Sequence, residues 1–340
     1  MGTENARLYR WDNVKLFLIF TVVLGHCLDT FGFTGPYRSF KVLFLFIYSF
    51  HMPAFIFVSG LFSKKLIEQK NVKKLLPYLF AYFISIAILA IGNAAAGKSP
   101  MVKIFSYNGI PWFMLAMFFM PLLTMLLKDF DPRYILIFSI VVSLISGFNK
   151  QNNDFLAWMR ICTFYPFYYI GYRSDPTVLS DKLNNKRLRV AATAILLLFF
   201  VSCVIFTQKL YWFRPLLTGR NSYSALDISS DKYIFMPLLK LVVGALGLLF
   251  TLSVSAVIPD KEFKITKLGE RTFTVYLLHG FFVRLLFGAF DLMSIFKRIT
   301  DDPKILLVFT VITAICVTLI CSIPVLDRCT KRLFKAIPQN

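Results

Sequence analysis

The chain consists of about ten apolar runs, most of them near the length of about 20 residues that a helix needs to cross a bilayer, separated by clusters of Lys and Arg. In hydrocarbon each backbone N–H and C=O must be satisfied within the protein, so continuous runs of this length are read as helices. The expected fold is an all-α polytopic membrane protein. Its spans are placed at about 14 to 33, 41 to 63, 75 to 93, 109 to 127, 134 to 149, 155 to 172, 190 to 208, 233 to 257, 268 to 288 and 304 to 326. Composition excludes an ordinary soluble domain, since 57% of residues are hydrophobic and 16% charged, against about a quarter charged in typical soluble chains.

A net charge of +20 would suggest nucleic acid in a soluble protein, but here the basic residues sit between the apolar runs and read as topology signals. Nucleic acid is therefore not an expected partner. One set of alternate loops, with both terminal segments, carries 23 of the 38 Lys and Arg residues, which predicts cytoplasmic N- and C-termini. No A-x-A cleavage signal follows the first run, so it is expected to remain as the first span. With no repeat or appended soluble domain visible, residues 1–340 are read as one membrane-embedded domain of the cell membrane. The six cysteines form no CxxC pair, predicting neither a disulfide framework nor a thiolate metal site, and are read as small buried hydrophobes.

Residues 209 to 232 are too polar for a span. They fit either a surface loop with aromatics in the headgroup region or a cover over a polar acceptor such as a sugar.

The three histidines, His26, His51 and His279, all fall inside predicted spans. Ionisable groups in the hydrocarbon layer are costly and usually mark a pathway or a site, although a neutral imidazole can also serve as a helix-to-helix hydrogen-bonding group. Counting about 1.5 Å per residue from the flanking basic residues puts them about 16, 20 and 12 Å from one membrane boundary, close enough in depth to converge on one cavity. Lys15 and His26 are 11 residues apart, about 20° beyond three full turns, so they share a helix face. A cation at the rim and an imidazole deeper on the same stripe suit a long ligand with an anionic head, while a snorkelling anchor is the plainer role for Lys15. Asp12 suits an N-cap of the first span and projects near the same face. Asp29, one turn beyond His26, is placed either to orient the imidazole or in solvent at the end of the span. In the second span Pro53 frees a backbone carbonyl and Gly60 permits close helix approach. Trp112 begins the fourth span, where a headgroup-belt position is the plain alternative to a site role. Arg160 interrupts an apolar run and calls for an anionic partner, either a ligand or an acid on another helix.

These fragments resemble the acyltransferase-3 family of membrane acyltransferases, and within it the fucose 4-O-acetylase-like branch. The resemblance is carried by Trp11-Asp12-x-x-Lys15 leading to Gly25-His26, by Phe50-His51-Met52-Pro53 with Ser59-Gly60, and by Pro111-Trp112-Phe113. It continues through the Phe164 to Gly171 segment FYPFYYIG and Gly269-Glu270-Arg271-Thr272 running into Tyr276 and His279. The family hallmark is a basic residue, ten intervening residues and a histidine in the first span. Here Lys15 stands where arginine is usual, supplying a point charge in place of a planar fork.

The resemblance implies a membrane O-acyltransferase, most simply an O-acetyltransferase, that takes an acyl group from cytoplasmic acetyl-CoA or another acyl-CoA. The acceptor would be a hydroxyl of an extracytoplasmic or lipid-linked glycan. On this reading His26 is the general base, Lys15, Asp12 and Arg160 hold the acyl-CoA, and His51, Trp112, Tyr276 and His279 position the substrates. Tyr276 is also a candidate donor to the oxyanion. The co-substrate is acyl-CoA with no metal, membrane lipid surrounds the protein, and a second copy of the chain is a candidate partner. A transporter of a small anionic or proton-coupled solute is the alternative, requiring no acyl-CoA; a structural subunit would keep its phenotype in His26→Ala. An impermeant label applied outside the cell is expected to reach residues 209 to 232 and neither terminus; labelled termini would reverse the orientation.

Overall fold

A computed structural model describes residues 8–30, 37–100, 102–105, 109–149 and 155–335. Arg7, Asn108 and the expected end of the first span at 31 to 33 lie outside them. All described regular structure is helical, and a helix stands in each of the ten apolar runs. These are α1 (Tyr9–Thr30), α2 (Arg38–Tyr48), α3 (His51–Leu61), α4 (Leu76–Ala95), α5 (Trp112–Leu127) and α6 (Pro132–Ser146). They continue with α7 (Trp158–Arg173), α8 (Lys186–Ile205), α9 (Met236–Val257), α10 (Thr272–Arg284) and α11 (Pro303–Cys321), followed by the amphipathic α12 (Pro324–Lys335).

Among the described residues, seven helical segments are long and apolar enough to cross a membrane, with α2 and α3 together forming one of them. The runs that fold as α5, α6 and α7 are shorter, at 15 or 16 residues. The helices turn apolar side chains outward, as at Leu198 on α8 (68% exposed) and Ile145 on α6 (59%), which is tolerable where the surroundings are lipid. The protein is a multi-pass membrane protein. Local chemistry sets several helix starts: Asp131, Asn185 and Asp302 accept hydrogen bonds from the first free N–H groups of α6, α8 and α11. Pro132 and Pro303 occupy first-turn positions, where no N–H is missed.

Three expectations need correction. The first span starts at Tyr9, five residues earlier than expected, which places Asp12 inside the first turn and not at its N-cap. Arg10, counted in the sequence as a surface topology charge, is fully buried. The cysteines are also mixed, with Cys27, Cys203 and Cys321 buried but Cys316 and Cys329 exposed.

The second span, expected as one run with a carbonyl freed by Pro53, is broken at Ser49 and Phe50, and His51 is the first residue of α3. Pro53 has no N–H to return to the Ser49 carbonyl, so the helix ladder cannot run through this point. Beyond it, α3 packs tightly on α7. A Cβ on Gly60 would lie 2.1 Å from the Tyr168 carbonyl oxygen, and one on Gly171 would lie 2.1 Å from that of Phe57. Each glycine thus admits the backbone of the opposite helix, as glycines do at close membrane helix crossings.

The start of α1 is held by polar groups of two distant segments, the short helix Pro176–Leu183 with Asn184 after it, and the end of α9 with the residues that follow it. Arg10 Nε donates to Ser180 Oγ at 3.0 Å, and Nη1 donates to the carbonyls of Ser255 and Ile258 at 2.8 and 2.7 Å. Nη2 donates to Asn184. Asp260 accepts from the Arg10 backbone at 2.9 Å and from Ser180 Oγ at 2.8 Å. Asn13 donates to the carbonyls of Pro259 and Lys261, and accepts from Thr266 at 2.7 Å. Gly269 lies against the same turn, where a Cβ would meet the Asp12 carbonyl oxygen at 2.1 Å.

Gly171→Val is expected to lower stability by at least the ~1–3 kcal/mol of an overpacked core. Gly244→Ala, whose Cβ would meet nothing within 4 Å, should be neutral. Melting of the two detergent-purified variants checks this, and equal melting would refute the close-approach role of Gly171.

Candidate active site

Two cavities lie end to end along the bundle and share one side chain, Tyr276. The first, about 260 Å³, sits near the Tyr9 end of α1 and is lined by Lys15, Ser59, Phe62, Tyr78, Phe113 and Tyr168 among others. Lys15 Nζ is 2.8 Å from Asp12 Oδ1 and 5.7 Å from the Phe62 ring centroid. The pair is nearly neutral as a unit, with the ammonium resting on an aromatic face.

The second cavity, about 370 Å³, lies toward the other end of α1 and is lined by His26, Asp29, Tyr48, His51, Trp112 and Arg160, with Lys98, Arg220 and Arg284. Five otherwise separate stretches meet here: the last turns of α1, the α2–α3 break, the start of α5, the start of α7 and the end of α10. The break has a purpose in this geometry, because it puts His51 at a helix start facing the cavity.

The histidines converge. The His26 and His279 rings are 5.3 Å apart between centroids and inclined by 37°. His51 lines the same cavity as His26 and meets Tyr48 edge-on at 4.4 Å. His279 Nδ1 is 3.0 Å from the Val275 carbonyl oxygen, and His51 Nδ1 is 3.0 Å from that of Ile47, each four residues back on its own helix. A carbonyl oxygen can only accept, so Nδ1 carries the proton in both neutral rings and Nε2 keeps its lone pair. Nε2 of His279 is buried and, among the described residues, has no hydrogen-bond partner.

Other expected residues are distributed between the cavities. Lys15 and Asp12 stay together at the first, whereas Arg160 belongs to the second, its guanidinium 5.0 Å from the Trp112 ring centroid. Trp112 is buried against Phe164 at 5.8 Å, and so is not a lipid-facing belt residue. Tyr276 stands at the junction, but its hydroxyl donates to the Ile110 carbonyl, so that proton is not available to an oxyanion in this arrangement.

The sequence reading did not single out Lys98, Arg220 and Arg284 as cavity residues. Arg284 carried a signal, because it is a charge inside an expected span. Arg220 comes from the 209 to 232 segment, which is folded down and not loose. Trp212 Nε1 donates to the Leu226 carbonyl at 2.9 Å, the Tyr223 hydroxyl to that of Leu144 at 2.7 Å, and Thr163 Oγ1 to that of Gly219 at 3.3 Å. Gly219 has φ +68°, and a Cβ there would strike the Phe164 ring at 2.6 Å, so this turn requires glycine. Thr218 and Arg220 are thereby carried into the cavity wall.

A family model described as an acyltransferase domain, that of the acyltransferase-3 family, matches residues 8–327. The chain is also similar to nodulation protein NolL of Sinorhizobium fredii, 27% identical over 300 residues that cover 83% of this chain and 79% of that protein. No solved structure matches.

Proposed function

The chain belongs to the acyltransferase-3 family and is a membrane acyltransferase; from that premise we propose that it moves an acyl group, most simply acetyl, from acyl-CoA at the Lys15 cavity to a hydroxyl held in the His26 cavity. The observation that carries this reading is that the His26 cavity and the Lys15 cavity share Tyr276, with His279 against the His26 ring. A donor entering past Lys15 would bring its thioester toward the histidine pair without crossing lipid. With the basic loops in the cytoplasm, the donor side is cytoplasmic, both termini are inside and the acceptor side faces out. Within the family, the fucose 4-O-acetylase-like branch is the proposed neighbourhood and a glycan hydroxyl the proposed acceptor.

In the proposed reaction His26 takes the proton of the attacking hydroxyl as its oxygen bonds to the acyl carbon. The unpartnered Nε2 lone pair of His279 accepts the N–H of His26, which orients the base and steadies the imidazolium. Arg160, and not Tyr276, faces the negative charge that develops on the carbonyl oxygen. Collapse breaks the carbon–sulfur bond, and His26 returns the proton to the CoA thiolate. Lys15, Asp12 beside it, His51 and Trp112 act by positioning donor and acceptor.

In the purified protein His26→Ala is expected to reduce acetyl transfer by the 10²- to 10⁴-fold typical of a lost general base while leaving acetyl-CoA binding in place. Lys15→Ala should weaken acetyl-CoA about tenfold, the size of one charge-assisted contact. Thermal stabilisation by acetyl-CoA, with free CoA as control, measures binding, and labelled acetyl-CoA measures transfer. A folded wild type that no acyl-CoA stabilises would sink the proposal and bring solute transport forward.

A further inference from the structure

Of the two end-to-end cavities, the more cationic is the one opposite the proposed nucleotide-donor site. Among the described residues, Lys98, Arg160, Arg220 and Arg284 line the His26 cavity, opposed by the single carboxylate of Asp29. The Lys15 cavity has one lining cation, and Asp12 accompanies it. Arg284 is held in place by its own contacts, Nε donating to Asn93 Oδ1 at 2.8 Å and Nη1 to the Gly280 carbonyl at 3.1 Å, which leaves Nη2 for a ligand. Lys98 is exposed and Arg220 and Arg284 are half-buried at the mouth of this cavity, where like charges gathered together favour an arriving anion, and guanidinium forks fit phosphate oxygens. A neutral sugar alone would bring no anion to Lys98, Arg220 and Arg284.

A third cavity, about 250 Å³, adjoins the second, and Tyr48 lines both. Its walls are almost wholly apolar, formed by side chains such as Ile140, Pro166, Phe167, Leu217 and Leu248. It lies between α6, α7 and α9, and Leu241 on its wall is 42% exposed on the lipid-facing surface. The cation on its wall, Lys240, is already engaged, donating to the Ser143 carbonyl, Ser146 Oγ and Thr163 Oγ1 at 2.7, 3.1 and 3.0 Å. The groove is therefore suited to hydrocarbon, with its polar neighbour beyond Tyr48.

We propose that the acceptor is a phosphate-linked amphiphile that enters sideways from the bilayer. Its hydrocarbon chain lies in the groove beside α9, its phosphate or diphosphate meets Lys98, Arg220 and Arg284, and the sugar it carries presents a hydroxyl to His26. The last clause rests on the acyl-transfer reading; the binding of chain and phosphate does not.

The test uses the full chain in phosphatidylcholine nanodiscs, with empty nanodiscs subtracted, and three probes: geranylgeranyl diphosphate, geranylgeraniol and inorganic diphosphate. Wild type is expected to bind geranylgeranyl diphosphate saturably and at least about tenfold more tightly than either half, since each half forgoes one set of contacts. Gly244→Phe projects a ring into open groove space, because a Cβ at Gly244 meets nothing within 4 Å. It should weaken geranylgeranyl diphosphate and leave inorganic diphosphate unchanged, with Gly244→Leu as a milder second variant. Arg220→Gln should weaken both diphosphates about tenfold and spare geranylgeraniol. Equal affinity of the three probes, indifference of geranylgeranyl diphosphate to a folded Gly244→Phe, or no saturable binding above empty nanodiscs would each overturn the proposal. A wild type that binds the diphosphate lipid yet transfers no acetyl group would leave it standing and remove the acyl-transfer reading instead.

Discussion

The position of His26 is set by a guanidinium about 24 Å away on the same helix. Arg10 is fully buried and spends its donors on Ser180, Asn184 and the carbonyls of Ser255 and Ile258. A buried charge is tolerated only when its hydrogen bonds are made, so this turn of α1 has little freedom to slide or rotate. A helix transmits such a constraint along its length, since 3.6 residues per turn ties the azimuth of every later side chain to the first. Lys15 then faces one cavity and His26 the next. The same turn meets Gly269 at backbone contact, which locks the approach to α10 and brings His279 to the His26 ring.

Polar groups within the apolar layer are handled in two ways, and the difference separates structure from site. Lys240 and Thr124 direct their polar atoms at protein acceptors, and so do many of the helix serines and threonines. The groups around His26 leave capacity over: the Nε2 of His279, one end of the Arg284 fork, and a surplus of cations over Asp29. Like charges gathered at one cavity mouth repel each other, and an anionic ligand would relieve that repulsion. The two end-to-end cavities accordingly differ in character, one holding a paired lysine under aromatic rings and the other a cluster of arginines.

Much of the architecture was legible because bilayer thickness leaves few solutions. All ten apolar runs became helices, and the carbonyl freed by Pro53 and the close approach at Gly60 followed from residue chemistry alone, although the full break at Ser49 and Phe50 did not. Boundaries were less legible where a polar residue turned out to be buried. Arg10 and Asp12 looked like residues outside a span, but segments remote in sequence supply their surroundings. Trp112 shows the same limit from the apolar side: an aromatic at a span end is ambiguous until the start of α7 is known to place Arg160 over its ring.

The sequence by itself determined the membrane class, the helical fold, the family resemblance and the histidines that belong together in depth, because length, hydropathy and helical period are properties of one segment at a time. Only the tertiary structure decided which helices touch. It put Arg160 with His26 and not with Lys15, committed the Tyr276 hydroxyl to Ile110, and folded the 209 to 232 segment so that Arg220 reaches the cavity. The physical reason is that charge pairing, lone-pair availability and cavity shape depend on neighbours brought from elsewhere in the chain, and no local pattern encodes those neighbours.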